Sequence, residues 1–148
     1  MPKRIALVIA SALVALVLPL ASSAQAATYP QFGKVQYDSP GSDTGSNTSL
    51  NAEYITIKNT SSSRLSLTGY TVHDAAGHSY TFGTFHLSAG KTVYLHTGTG
   101  TDTWQHRYWG KSWYVWNNNG DTAHLHNALG TLRDACSWPG GSPGYKYC

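Results

Sequence analysis

Residues 54–59, Tyr54-Ile55-Thr56-Ile57-Lys58-Asn59, decide the fold class, because apolar Ile55 and Ile57 alternate with Thr56 and Lys58. Successive side chains of a β-strand point to opposite faces, so this period of two predicts a half-buried strand. No helical periodicity is visible after residue 27. The same alternation recurs in short runs at Val35/Tyr37, Tyr70/Val72, Tyr80/Phe82, Phe85/Leu87, Val93/Leu95 and Ala123/Leu125.

Clusters of Gly, Pro, Asn and Ser separate these runs and indicate turns. Most strand starts are spaced by roughly ten residues, as in a β-sandwich. We therefore predict an all-β chain in which two packed antiparallel sheets form a single domain over residues 28–148. The apolar side of each run gives the predicted core, which consists of Ile55, Ile57, Leu67, Tyr70, Val72, Phe82, Leu87, Val93, Leu95, Ala123 and Leu125.

An ordered set of motifs extends this interpretation over residues 35–135. The motifs are YDSPGSD (37–43), LNAEYITIKN (50–59), LTGYTVHD (67–74), YTF (80–82), VYLHTG (93–98) and VWNNNGD (115–121). In that order they resemble the lamin tail domain family, in the small secreted form found in bacteria. The resemblance implies an Ig-like two-sheet antiparallel β-sandwich that serves in binding and attachment, with no catalytic apparatus of its own.

The first 27 residues have the features of a cleaved signal peptide. Lys3 and Arg4 precede an apolar stretch over residues 5–20, and Ala24-Gln25-Ala26 is a small-x-small cleavage site. The alternative is an uncleaved membrane anchor, but the stretch falls short of the ~20 residues that span a bilayer. We expect an exported, extracellular chain that begins near Thr28 and has no membrane span.

The mature chain carries little net charge. Removing Lys3 and Arg4 leaves eight cationic residues against seven acidic ones, a net charge of +1, with no run of Lys or Arg. This balance argues against a nucleic-acid or membrane-surface partner held by electrostatic attraction.

The two cysteines, Cys136 and Cys148, lie close together near the end of the chain. In an exported protein we expect them to form a disulfide, which would tie down a C-terminal flap over residues 136–148. Closing a loop of that length contributes about 3 kcal/mol in the chain-entropy model. A redox or metal pair is the alternative, but the spacing is far from Cys-x-x-Cys.

Aromatic residues concentrate in the long connection between two predicted strands. Two interpretations remain open, because such rings mark binding surfaces when exposed and a satellite core when buried. We expect Trp116 to be buried and Trp104 and Trp109 to be exposed. The candidate ligand-binding residues are Trp104, Tyr108, Trp109 and Trp113.

The sequence gives weaker support for a metal site. His124 and His126 share the outer face of one strand and, with a histidine from a neighbouring strand, could bind zinc. Oxygen ligands for calcium could come from residues 38–53. Histidine as a polar surface residue, and Asp and Asn in local turns, are the simpler interpretations.

No nucleophile elbow, zinc-protease motif or phosphate-binding glycine loop is present. The sequence thus predicts no enzyme, no cofactor and no metal. It predicts a binding or anchoring module for an unknown macromolecule, either a protein or a cell-envelope glycan. A carbohydrate-binding module that uses the Trp-rich loop over residues 104–116 is the alternative. A metal-dependent enzyme that uses outer-face histidines is a more distant one.

Overall fold

The structure is a computed structural model that describes residues 30–141 and 143–148. The predicted signal peptide, residues 1–27, therefore lies outside the described residues. The elements in chain order are β1 (Pro30–Gln36), α1 (Asn47–Ala52), β2 (Tyr54–Asn59), β3 (Leu65–Ser66), β4 (Thr71–His73), β5 (Ser79–Thr81), β6 (His86–Leu87), β7 (Thr92–His96), β8 (His106–Tyr108), β9 (Asp121–His126), β10 (Leu132–Trp138) and β11 (Tyr145–Tyr147).

The strands form an Ig-like β-sandwich, which confirms the predicted fold class. One sheet has the order β11-β1-β2-β7-β8 and faces a second with the order β10-β9-β4-β5, while β3 and β6 pair separately. The pairing is antiparallel except between β7 and β8, which run parallel. Residues 97–105 join β7 to β8 and return the chain along the sheet edge, so that the two strands run in the same direction.

The interior contains the predicted apolar residues. All members of the predicted core are buried except Tyr70, which is half-buried and packs against the others. The predicted core list left out five residues that are buried there too, although Trp116 was expected to be buried: Phe32, Val35, Phe85, Trp116 and Trp138. Each large buried side chain contributes about 1.5–3 kcal/mol by leaving water.

The Cys136–Cys148 disulfide is present, with the two Cα atoms 5.7 Å apart. Cys136 belongs to β10 of the four-stranded sheet, whereas Cys148 follows β11 of the five-stranded sheet. The bridge therefore joins the two sheets and does more than hold a flap. Strand β11, which pairs with β1, was not expected from the sequence.

Helix α1 is the one helix among the described residues, and its six residues were expected to be loop. Ser46 caps it, because its side-chain oxygen accepts a hydrogen bond from the Ser49 N–H. Leu50 is its single buried residue, so the sequence shows no apolar periodicity that would predict this helix. Within the described part of the chain, no helix has the length and apolar character needed to cross a membrane.

Candidate binding surface

The connection after β7 is fastened to α1 by side-chain amides. Asn47 accepts a hydrogen bond from the Thr99 N–H at 2.8 Å, and the amide groups of Asn47 and Asn51 both donate to the Thr99 carbonyl. A Cβ atom at Gly98 would lie 2.5 Å from the Asn47 amide oxygen, so a larger residue would displace this contact. The connection thus begins from a fixed position.

The residues considered as calcium ligands are spread over separate places. Asp38 and Asp43 accept from the Asn118 amide, at 3.2 and 3.4 Å. Asn47 and Asn51 hold Thr99, and the fifth residue, Glu53, points into the sandwich. These side chains therefore act as scaffolding, but the contacts of Asp38, Asp43, Asn47 and Asn51 join segments 48 to 80 residues apart in the chain. They are not the local turns that the simpler interpretation predicted.

Glu53, which lies between α1 and β2, also holds the connection, and its carboxyl group is fully buried. One oxygen, Oε1, accepts from the Thr97 hydroxyl at 2.5 Å, from the Val115 N–H at 2.8 Å and from the Trp116 N–H at 3.3 Å. Both ends of the long connection, at Thr97 and at Val115–Trp116, thus meet on one atom.

Burial dominates the electrostatics of this carboxyl group. Desolvation raises the pKa of Glu53 to about 7, although the hydrogen bonds from Thr97, Val115 and Trp116 act in the opposite direction. Its second oxygen, Oε2, is buried and has no hydrogen-bond partner among the described residues. Sequence reasoning placed Glu53 in a polar loop and missed this role.

Two indoles of the aromatic segment are exposed. Trp104 is 60% exposed and Trp113 is 62% exposed. Trp113 lies over Gly45, where an added Cβ would approach its ring to 2.5 Å, and its ring also meets Tyr114 edge-on. The Tyr114 hydroxyl bonds to the Ser49 hydroxyl at 2.6 Å, which fixes this part of the segment on α1.

The other predicted ligand-binding residues face elsewhere. Trp109 was expected to be exposed, but it is half-buried, with its ring edge-on to buried Trp116 and its indole N–H donating to the Ser79 carbonyl. Tyr108 stacks on His96 at the face of the five-stranded sheet. The segment therefore does not form the single exposed plane of Trp104, Trp109 and Trp113 that the carbohydrate-binding alternative required.

Trp113 also borders a shallow depression of about 450 Å³. Its other walls come from residues 114–117, from Ala75 and Ala76, and from the turn at Gly120 and Asp121. This size falls within the range of small-molecule pockets. The depression places a cavity next to one of the exposed indoles.

The predicted histidine cluster on the four-stranded sheet does assemble. The His73 and His126 ring centroids lie 5.2 Å apart, and those of His124 and His126 lie 6.2 Å apart. Burial lowers the pKa of His73, and the neighbouring His126 and His124 act in the same direction. Within the described ranges, no three His, Cys, Asp or Glu side chains are arranged to hold a metal ion.

A second histidine pair lies on the five-stranded sheet. His96 Nδ1 bonds to the Asn51 carbonyl at 2.8 Å, so this nitrogen carries the proton and Nε2 accepts from His106 Nδ1 at 2.9 Å. Burial lowers the pKa of His96, and the nearby His106 lowers it further against the Asn51 hydrogen bond. Both rings are thereby held in one tautomer.

Comparison with family models identifies the fold's relatives. The model of the Lamin Tail Domain matches residues 23–140, which is most of the chain. The chain belongs to the lamin tail domain family. Lamin tail domains are Ig-like and non-enzymatic, which agrees with the sandwich described above. No curated protein matches the chain.

Proposed function

We propose that this lamin tail domain is an exported, non-catalytic attachment module that binds a protein or cell-envelope macromolecule through its exposed indoles. The observation that carries the proposal is the exposure of Trp104 and Trp113, at 60% and 62%, on a firmly held connection. Indole rings bury a large apolar area with few rotatable bonds, which is why exposed ones recur at interfaces.

The connection supports binding because it is ordered before any ligand arrives. Glu53 joins its two ends, and the Asn47 and Asn51 amides hold its start. A surface that is already ordered loses less conformational entropy on binding. Export rests on the signal-peptide features of residues 1–27, and N-terminal sequencing of the secreted chain should begin near Thr28.

The test is a pulldown of the secreted protein with purified cell-wall sacculi, envelope protein fractions and a glycan array. The double variant Trp104→Ala/Trp113→Ala should weaken the observed binding at least tenfold and keep the wild-type circular dichroism. Leu129→Ala is the matched control, because Leu129 is 89% exposed on a different turn. Its binding should equal that of the wild type.

Two results would overturn the proposal. One is a wild-type protein that none of these fractions retains. The other is retention that is equal in the double variant and in Leu129→Ala. Turnover of a bound envelope polymer by the wild type would contradict the non-catalytic part.

A further inference from the structure

A groove on the outer face of the five-stranded sheet shares no residue with the exposed indoles. It has a volume of about 440 Å³ and is lined by Gly33, Lys34, Tyr54, Thr56, Thr92, Tyr94 and Tyr147. The groove is deepest where Gly33 lies next to Thr56. Gly33 has no side chain there, and an added Cβ would approach the Thr56 hydroxyl to 2.8 Å. A β-bulge between Phe32 and Val35 places Gly33 there.

Tyrosine rings form the walls of the groove. Tyr94 stacks on His106 on one side, while on the β2 side the register pairs it with the small residue Thr56. Tyr54, also on β2, lies against Tyr94 as well, with the two ring centroids 5.3 Å apart and the ring planes at 56°. Tyr147, on edge strand β11, is 70% exposed and forms the opposite wall. The groove therefore presents one largely exposed ring, that of Tyr147, while Tyr94 is packed between Tyr54 and His106.

The polar groups around the groove have unused hydrogen-bonding capacity. The hydroxyls of Tyr54, Tyr94, Tyr147 and Thr92 make no hydrogen bond to any described part of the chain. The Tyr37 and Tyr114 hydroxyls, which lie elsewhere, are both bonded, to Gly141 and to Ser49. The hydroxyls of the groove are available to a ligand that also carries hydroxyl groups.

Lys34 supplies a cation to the lining of the same groove. The Lys34 ammonium is 4.6 Å from the Tyr145 ring centroid and 5.6 Å from that of Tyr54. These cation–π contacts hold the ammonium between two rings, of which Tyr54 lines the groove and Tyr145 lies beside it. Among the described residues no carboxylate lies within ion-pair distance of Lys34. Lys58, exposed on the same strand face as Tyr54 and Thr56, adds positive charge. The local charge is complementary to an anion.

We propose that this groove binds an acidic pyranose unit of a polysaccharide, with the sugar's carboxylate on Lys34 and its apolar ring face on Tyr147. A pyranose combines a flat C–H face with peripheral hydroxyls, and an acidic one adds the anion that Lys34 lacks. An extended peptide fits less well, because it would pair with a strand edge and the groove crosses the sheet face. The groove would give the attachment module a second contact with the envelope.

The test measures binding of the secreted protein to polygalacturonate, alginate and hyaluronan, each beside the same polymer after carboxyl reduction. The wild type should bind at least one acidic polymer tenfold more tightly than its reduced form. Tyr147→Ala should weaken that binding about tenfold. Lys34→Gln should weaken it similarly and remove the preference for the acidic form. Lys146→Gln is the matched control, because it removes the same charge from the next-to-last residue of β11 and lies outside the groove. It should change the affinity less than twofold.

Failure of the groove is distinguishable from failure of the proposed function. The groove proposal is overturned if the wild type binds none of the three acidic polymers, or if Lys34→Gln and Lys146→Gln bind equally. Envelope binding that depends on Trp104 and Trp113 would survive either result. A third result would separate them in the other direction. If acidic polymers bind in a Lys34-dependent manner while Trp104→Ala/Trp113→Ala binds the envelope normally, the groove proposal is supported and the proposal of binding through the exposed indoles is contradicted.

Discussion

The interior of the sandwich and the connection over residues 97–120 are held together by different forces. In the interior, apolar side chains such as Ile55, Val72 and Leu95 pack from both sheets. The connection is held by hydrogen bonds that meet on the carboxyl oxygen of Glu53. Apolar packing tolerates small changes of shape, whereas a buried polar junction depends on every partner being present. The apolar interior therefore stabilises the fold, whereas the hydrogen-bonded connection positions the candidate binding surface.

Removing the Glu53 carboxyl group should have the largest effect. Glu53→Ala leaves the Thr97 hydroxyl and the Val115 and Trp116 N–H groups without their acceptor, and each buried unsatisfied donor costs about 1–3 kcal/mol. We expect a loss of about 4 kcal/mol in the free energy of unfolding, measured by urea denaturation at pH 5. Glu53→Gln keeps an oxygen acceptor and should lose less than half as much. Equal stability of Glu53→Ala and wild type would show that the junction contributes nothing.

Reducing the disulfide should have the next largest effect. The Cys136→Ser/Cys148→Ser variant loses the covalent link between β10 and the end of β11, at a cost of about 3 kcal/mol in the chain-entropy model. Its thermal unfolding midpoint should fall while the β-sheet circular dichroism at 20 °C stays unchanged. An unfolded variant at that temperature would mean that the interior depends on the bridge.

Stability should also depend on pH through Glu53. Its pKa is raised by burial from 4.5 to about 7, so the folded chain keeps a proton that the unfolded chain has lost. This stabilisation is complete below pH 4.5, is lost as the pH rises through 7, and amounts to about 3 kcal/mol. The pKa values of His73 and His96 are lowered, so they give a slope of opposite sign. The measurement is therefore the difference between wild type and Glu53→Gln, and a flat difference between pH 4.5 and 8 contradicts the assignment.

Substituting single tryptophans of the connection should have the smallest effects on the free energy of unfolding, and the half-buried and exposed rings should differ measurably. Trp109→Ala removes a half-buried ring from Trp116 and Tyr80 and should lower the free energy of unfolding by about 2 kcal/mol. Trp104→Ala removes an exposed ring and should change it by less than about 0.5 kcal/mol. Urea denaturation of both variants checks this, and a reversed order would place Trp109 at the surface.

Sequence reasoning worked where a local pattern reports burial. The alternation of Ile55 with Thr56, and of Val93 with Tyr94, gave the strands and most of the core, because a strand's faces repeat every two residues. The same alternation placed Tyr54 and Tyr94 outward, as found, although the groove they line also depends on the bulge at Gly33.

The sequence could not reveal contacts between distant segments. Glu53 meets Thr97 and Val115 across 44 and 62 residues, and a lone acid in a polar loop gives no local sign of burial. Trp109 and Trp113 look alike in the sequence, yet one packs on the core and the other is exposed. Which ring is buried follows from where β8 pairs with β7 and from how the chain then returns to the core.

The most direct test of the attachment proposal is iodide quenching of tryptophan fluorescence, with and without the envelope fraction that retains the protein. Free protein should show a quenchable fraction that comes mainly from Trp104 and Trp113, since Trp116 and Trp138 are buried and Trp109 is half-buried. Bound protein should lose that fraction, and Trp104→Ala/Trp113→Ala should lack it from the start. Full binding with the Trp104 and Trp113 quenching unchanged would contradict the proposal that these indoles form the contact surface.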